Sequence, residues 1–216
     1  MKKLVLIGAG GFGREVANMV EVLNERSKQY ELLGFLDDGK SFSPDVKINN
    51  YPWLGTHEWA ISHKDEDIVY TCAIGNPEMR STIQNKLTKN GIEFETLIAA
   101  GINIPRTSYI GKGCILGRGS SVSVNCYLAD GVILNSGVII GHDTRIEEYT
   151  TILTSSGVSG CCHIGEKVII GGHAFIVQGR TIGNKATVAA GSIVFTNVKA
   201  GATVLGNPAK RMREIE

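Results

Sequence analysis

The chain has 216 residues, a formal net charge of +1, and 27 glycines against only 6% aromatics. That length suits one large or two modest domains with an ample core, and the near-neutral charge gives no reason to expect nucleic acid or an acidic membrane surface as partner. The opening Met-Lys-Lys and apolar run are interrupted by Arg14 and Glu15 before a signal-peptide core or membrane span is complete, so a cytoplasmic protein is expected.

Residues 4–7 are a short, fully apolar run, the mark of a buried parallel strand. Gly8-Ala9-Gly10-Gly11-Phe12-Gly13 follows, then a stretch with Val16, Met19, Val20 and Leu23 on one helical face. Strand, glycine turn and helix in that order give GxGxxG its meaning, since glycines let the backbone approach a phosphate at the helix N-terminus. The bland alternative is a turn that only packs helix on strand. A second strand, 32–36, ends at Asp37 and Asp38, whose carboxylates are placed to hydrogen-bond a ribose or base edge. Residues 39–56, with Pro44, Pro52 and several Asn and Ser, read as a loop; Trp53 and Trp59 read as satellite-core residues. A third strand at 68–74, a helix at 77–89 and a last strand at 93–97 complete the unit. Gly75 and Asn76 fall at the C-terminal end of the third strand, where open α/β sheets bind ligands. This is half of a doubly wound sheet, with room for one nucleotide but hardly for a dinucleotide plus substrate, which disfavours NAD-dependent chemistry.

From residue 104 to 194 an aliphatic residue recurs every six residues, sixteen in all, beginning Ile104, Ile110, Leu116 and closing Val188, Val194. Four residues after each sits a small or compact side chain, among them Cys114, Ser120, Cys126, Thr144, Thr150, Ser156 and Cys162, with Arg180 the exception. Self-similarity at a fixed period means a solenoid. Each hexad reads as a short strand plus a corner, three hexads close one turn of a triangular prism, and turns stack at ~4.8 Å. The aliphatic fills the axis and the small residue lets the corner close. Cys114, Cys126 and Cys162 take that small inward position, Cys161 and Cys162 are adjacent, and no CxxC occurs; neither a disulfide framework nor zinc is expected.

Three histidines lie in the prism. His142, between Gly141 and Asp143, comes two places after Ile140 and so lies outside the core. Asp143 is placed to accept a hydrogen bond from one ring nitrogen and leave the other as a base, unless the two neighbours point apart as they do on extended backbone. Reduced by an eighteen-residue turn, His163 and His173 fall at other corners and read as exposed edge residues. The three do not converge on a metal, which argues against a metal-dependent hydratase. No cysteine or serine is paired with a base in the sequence, so no covalent enzyme intermediate is expected.

The combination of GAGGFG, FLDD, IGN, the hexad prism with GHD, and the closing GNPAKRM resembles the hexapeptide-repeat sugar O-/N-acyltransferases, the family of sialic-acid O-acetyltransferases and UDP-4-amino-sugar N-acetyltransferases. The resemblance covers nearly all of the chain. It implies an α/β + β protein: a Rossmann-like nucleotide-sugar-binding half-domain, 1–99, followed by a left-handed parallel β-helix acyltransferase domain, 100–216. It also implies acetyl-CoA as co-substrate, no metal, and a homotrimer holding acetyl-CoA between neighbouring subunits. His142 matches the catalytic base, Asp143 its acidic partner, and Gly160, one turn further on, the backbone N–H that stabilises the oxyanion. Asn135 matches a residue beside the acceptor. Gly8, Gly10, Gly11, Phe12, Gly13, Asp37 and Asp38 match the nucleotide-sugar pocket, which Gly75 and Asn76 would line from the end of the third strand; Thr151, Ser159, Gly160 and Val177 match contacts to acetyl-CoA, and Lys210 either reaches its phosphates or closes the prism end as a solvated basic tail. Two positions depart: many relatives have histidine where Phe12 stands, and Thr151 is often a second histidine. The expected activity is acetylation of the amine of a UDP-linked amino sugar for surface polysaccharide or glycan. An O-acetyltransferase of a sialic-acid-like sugar would use the same residues, and Phe12 and Thr151 motivate a third reading, a nucleotide-binding scaffold that has lost catalysis.

Overall fold

Leu4, Val5 and Leu6 are fully buried because their strand, β1 (Lys2–Ile7), lies between two parallel neighbours, β2 (Tyr30–Leu36) and β5 (Ile68–Cys72). The structure is a computed structural model and describes residues 1–39 and 45–212. The chain divides into two compact units, Met1–Ala100 and Gly101–Glu216.

In the first unit two further strands, β3 (Lys47–Ile48) and β4 (Tyr51–Gly55), give the sheet order β3-β4-β2-β1-β5. Helix α1 (Gly11–Arg26) links β1 to β2 on one side, and the chain later returns to β5 on the other side of β1. Strand order therefore reverses at β1, and the C-terminal ends of these strands are where an open parallel sheet leaves a crevice. Val16, Ala17, Val20 and Leu23 form the buried face of α1. Helix α3 (Pro77–Lys89) starts where Asn76 caps it and Pro77 fills the first turn, which needs no N–H from that residue.

Two expectations for this unit need correction. Residues 45–55 are not simply loop: β3 (Lys47–Ile48) and β4 (Tyr51–Gly55) form an antiparallel hairpin, and β4 joins β2 in parallel. Asn49 and Asn50 sit at φ 48° and 69°, the left-handed pair that a two-residue hairpin turn requires. Pro44 and the rest of 40–44 lie outside the described residues. A short helix, α2 (Glu58–Ser62), follows the hairpin. The last strand expected at 93–97 contracts to a single bridge, Tyr70 to Phe94. Trp59 packs against the core of this unit as expected and stacks on His63 at 3.8 Å.

In the second unit, fifteen two-residue strands run from Tyr109–Ile110 to Ile193–Val194, each ending on one aliphatic of the six-residue series. Ile104 precedes the first of them and is half-buried. Strands eighteen residues apart pair in parallel, so Leu116, Leu134, Ile152, Ile170 and Val188 stack in register. From Leu116 to Val194 the axial residues are at most 4% exposed. The small inward residues do more than fill space. Thr150 Oγ1 donates to Gly165 O at 2.7 Å, Ser156 Oγ to Gly171 O at 2.7 Å, Thr144 Oγ1 to Ser159 O at 3.0 Å and Cys114 Sγ to Ala129 O at 3.2 Å. Each such residue ties its corner to the corner stacked on it in the next coil, satisfying a carbonyl that burial would otherwise strand. At the C-terminal end, Thr203–Leu205 continues one sheet and Lys210–Arg211 folds back antiparallel on it. Among the described residues no helix is long and apolar enough to cross a membrane.

Candidate active site

Two loops meet at the C-terminal end of β1. Gly8 (φ +104°) would bring a Cβ within 2.9 Å of Ala73 O, and any Cβ on Gly13 would collide with Gly8 O. These outer glycines are demanded by packing. Gly10 has nothing within 4 Å of such an atom, and Gly11 only the tip of Arg14, so the middle of the turn faces open space. The outer glycines thus pack helix on strand, and the middle of the turn leaves room beside the helix N-terminus. Gly10 caps α1 without a side-chain hydrogen bond, and no acidic residue sits in the first turn. The unpaired N–H groups and positive dipole end of a sixteen-residue helix are left free to meet a phosphate.

Asp37 braces this turn: Oδ2 accepts from the Ala9 N–H at 2.8 Å and Oδ1 from the Gly39 N–H at 2.9 Å. Each carboxylate oxygen still has a lone pair for a ribose hydroxyl. Asp38 is engaged by α2, its Oδ1 accepting from the His57 N–H at 2.7 Å while its other oxygen contacts His57 Nδ1. His57 Nε2 in turn meets Lys86 Nζ at 2.8 Å, and Lys86 holds the Glu58 carboxyl below its usual range. Across from the glycine turn, Asn76 Oδ1 accepts from the Met79 N–H at 3.0 Å, so this side chain caps α3, while Gly75 faces open space. Fully buried Arg80 donates to Ile74 O at 2.6 Å and Gly75 O at 3.1 Å and fixes that loop.

On the coil, a Cβ at Gly141 would collide with Gly160 N, so the backbone leaves strand Ile139–Ile140 pressed against the next coil. His142 follows at the corner. Asp143 takes φ 55°, the left-handed region, which turns its side chain to the same side as the imidazole. Nδ1 and Asp143 Oδ2 are 2.7 Å apart, so the neighbours do not diverge as extended backbone would make them. Asn125 Nδ2 donates to the other carboxylate oxygen at 2.9 Å, and Thr107 Oγ1 accepts from the Asn125 N–H at 3.1 Å. The Asn125 hydrogen bond first, and His142 second, hold the Asp143 carboxyl below its usual range. With Nδ1–H directed at an ionised carboxylate, the imidazole lone pair resides on Nε2. A Cβ added at Gly160 would lie 2.6 Å from both Cε1 and Nε2, so the ring lies over this glycine. Among the described residues the Gly160 N–H donates to none, although its carbonyl accepts from the Gly179 N–H at 3.0 Å. Both side chains of the pair are about half exposed, 50% and 49%.

The other residues singled out from the sequence divide. Ser159 and Val177 continue the column begun by Gly141 on successive coils, beside Gly160, and both are partly exposed. Asn135 Oδ1 accepts from the Ser136 N–H at 2.8 Å, which leaves its NH₂ to donate. Thr151 is only 2% exposed and has no surface to offer acetyl-CoA; that contact is withdrawn. Lys210 is exposed in the closing antiparallel strand. His163 pairs with Glu147 at 2.9 Å, and His173 is exposed. Two neighbours of the base were missed: Asn125, and Cys161, which is exposed with a donor atom within 4.8 Å of those of His142 and Asp143.

The PglD N-terminal domain family matches residues 3–87. The acetyltransferase domain of PglB from Neisseria gonorrhoeae, in complex with acetyl coenzyme A, superposes with a TM-score of 0.90 at 32% identity, covering 98% of this chain and 99% of that one. WeeI from Acinetobacter baumannii gives 0.86 at 29% identity over 97% and 99%. A UDP-3-O-acylglucosamine N-acyltransferase from Herminiimonas arsenicoxydans is 28% identical over 116 residues, 51% of this chain and 33% of that protein. The chain spans between 33% and 62% of the length of the curated relatives first matched. Full-length similarity to the PglB domain, together with the coil and its histidine corner, shows that the chain belongs to the hexapeptide-repeat sugar acyltransferases, with their left-handed parallel β-helix as its second unit.

Proposed function

We propose that the protein is an acetyl-CoA-dependent acetyltransferase that acylates the amine of a nucleotide-activated, uridine-linked sugar destined for a surface polysaccharide or glycan. The observation that carries this reading is the exposed His142–Asp143 pair laid over Gly160. The PglB domain bound to acetyl coenzyme A and the acyltransferase named for a UDP-linked glucosamine support it. The first unit holds the nucleotide, with a phosphate at the N-terminus of α1 above Gly10 and Gly11 and Asp37 toward the ribose. The second unit carries the base, with Asn135 beside the acceptor. The acting form is a homotrimer with acetyl-CoA between neighbouring subunits, and the supply of both substrates places it in the cytoplasm.

As the sugar amine attacks the thioester carbonyl carbon, His142 Nε2 takes its proton, and Asp143 stabilises the imidazolium. The Gly160 N–H donates to the oxyanion of the tetrahedral centre. Collapse of that centre breaks the C–S bond, and the departing thiolate recovers the proton from His142. Protons and electron pairs balance without a residue being acylated, so Cys161 has no part in the transfer.

Replacement His142→Ala is expected to lower kcat by about 10²–10⁴-fold with the circular dichroism spectrum retained. Thiol release, followed with a UDP-amino sugar, a free amino sugar and a sialic-acid-like hydroxyl acceptor, checks both base and substrate. Near-normal turnover of the variant would remove His142 from its role, and preference for the hydroxyl acceptor would replace the amine.

A further inference from the structure

We propose that His142, Asp143 and Cys161 form a binding site for a zinc-class divalent cation on the corner of the coil. One imidazole nitrogen, one carboxylate oxygen and one thiol sulfur lie within 4.8 Å of one another, all on exposed side chains. Tetrahedral zinc, with bonds of about 2.0–2.3 Å, sets such atoms roughly 3.5 Å apart. Side-chain rotations of about 1 Å at the surface close the difference.

The backbone already holds the three together. Asp143 and Cys161 are eighteen residues apart, both left-handed at φ 55° and 57°, and so stack at the same corner of successive coils. The Cys161 N–H donates to His142 O at 2.8 Å, which locks the two coils at this point. Absence of CxxC in the sequence argued against zinc, but that rule looks for ligands close in sequence. A solenoid supplies neighbours one turn apart instead.

Donor chemistry selects the ion. A mixed nitrogen, oxygen and sulfur set suits zinc or cobalt, whereas magnesium and calcium want oxygen alone. Three protein ligands leave a fourth position open to solvent. Of the five cysteines, Cys161 alone is exposed; Cys72, Cys114, Cys126 and Cys162 are buried in the two cores.

Occupancy has a consequence that rests on the function proposed above. Neutral imidazole has one lone pair. A cation bound to either ring nitrogen consumes it, directly or by forcing the proton onto the other nitrogen, and His142 can no longer act as a base. The site therefore couples acetyl transfer to free zinc.

The whole chain, freed of metal with a chelator, is titrated with Zn²⁺ by calorimetry and with Co²⁺ by absorbance. One Zn²⁺ per chain is expected, with a Co²⁺–thiolate band in the near ultraviolet. Cys161→Ser, a change on the surface, should abolish the band and weaken Zn²⁺ binding at least as much as the about 10–100-fold that loss of an outer-shell partner causes. Equal Zn²⁺ affinity in wild type and Cys161→Ser, or no thiolate band, would overturn the site. Acetyl transfer is followed in the same Zn²⁺ series, with chelator restoring it in wild type and Cys161→Ser resisting inhibition. Zn²⁺ bound with the band present but turnover undiminished would leave the cation site standing and remove His142 as the base.

Discussion

Asp143 adopts a left-handed conformation that Asp and Asn tolerate better than most residues, and the turn it makes is what brings its carboxylate to the imidazole. Asn125 then fixes which oxygen is available, since it occupies Oδ1 and leaves Oδ2 for His142. Removing that donor in Asn125→Ala lets the Asp143 carboxyl rise toward its ordinary range, so Asp143 loses its charge at a higher pH on acidification. The expected outcome is a kcat about fivefold lower, with the acid side of the pH–rate profile displaced to higher pH and KM for the nucleotide sugar little changed. A stability effect alone would lower activity without moving the profile. Gly160→Ala tests the other side of the ring. Gly160 is not in the left-handed region, so alanine suits its backbone, yet the new methyl would displace the imidazole. A loss of roughly 10²-fold in kcat at unchanged thermal midpoint is expected in steady-state assays. The family resemblance singled out Gly160, and its spacing from His142, eighteen residues or three hexads, made their stacking on successive coils legible in the sequence. The same arithmetic links Asn125, Asp143 and Cys161, but nothing in their chemistry marks them as a set until the corner is built.

At the scale of elements, the coil was legible because one residue class recurs at one period, and that period places the fifteen two-residue strands from Tyr109–Ile110 to Ile193–Val194. Residues 47–55 carry no such repetition. Their hairpin depends on two adjacent asparagines whose left-handed preference is visible only once a strand is suspected on either side. The inward hydroxyls were read as small fillers, and their hydrogen bonds could not be seen from size. Thr150→Val separates the two roles. Val132, Val138 and Val168 fill the equivalent position with no exposure, so the shape fits. What is lost is the donor to Gly165 O and the acceptor for the Val168 N–H. A destabilisation of about 1–3 kcal/mol is expected, read as a lower urea midpoint at unchanged m-value. Gly13→Ala probes the first unit in the same way. Its methyl meets Gly8 O between helix and strand, and overpacking of this kind costs about 1–3 kcal/mol; the same change at Gly10, which faces open space, should cost only the poorer helix cap that alanine makes, about 0.5–1 kcal/mol.

For the molecule as a whole, the outward column of one coil sheet bears on assembly. Ser121, Ile139, Gly157, Phe175 and Ile193 share one register position down this sheet. No chemical constancy runs through these five, so the column shows itself only when the chain is wound. Ile139 is 60% exposed and Phe175 45%, and the missing side chain of Gly157 lets the Phe175 ring lie over it, 2.8 Å from where a Cβ would stand. Apolar surface gathered on one face of a coil in water is costly unless another chain covers it, and Ile139 lies three residues before His142, the base proposed above. A trimer closed on this face would set the base beside a neighbouring subunit, where a coenzyme lying between subunits has to be. Sedimentation equilibrium is expected to return three chains for the wild type. The double replacement of Ile139 and Phe175 by Asp should give monomers with an unchanged circular dichroism spectrum. Acetyl transfer should then fall by roughly tenfold or more, since the thioester loses the wall that positions it. A double variant that stays trimeric would move the interface to another face of the prism, and one that falls to monomers with full activity would place the coenzyme on a single chain.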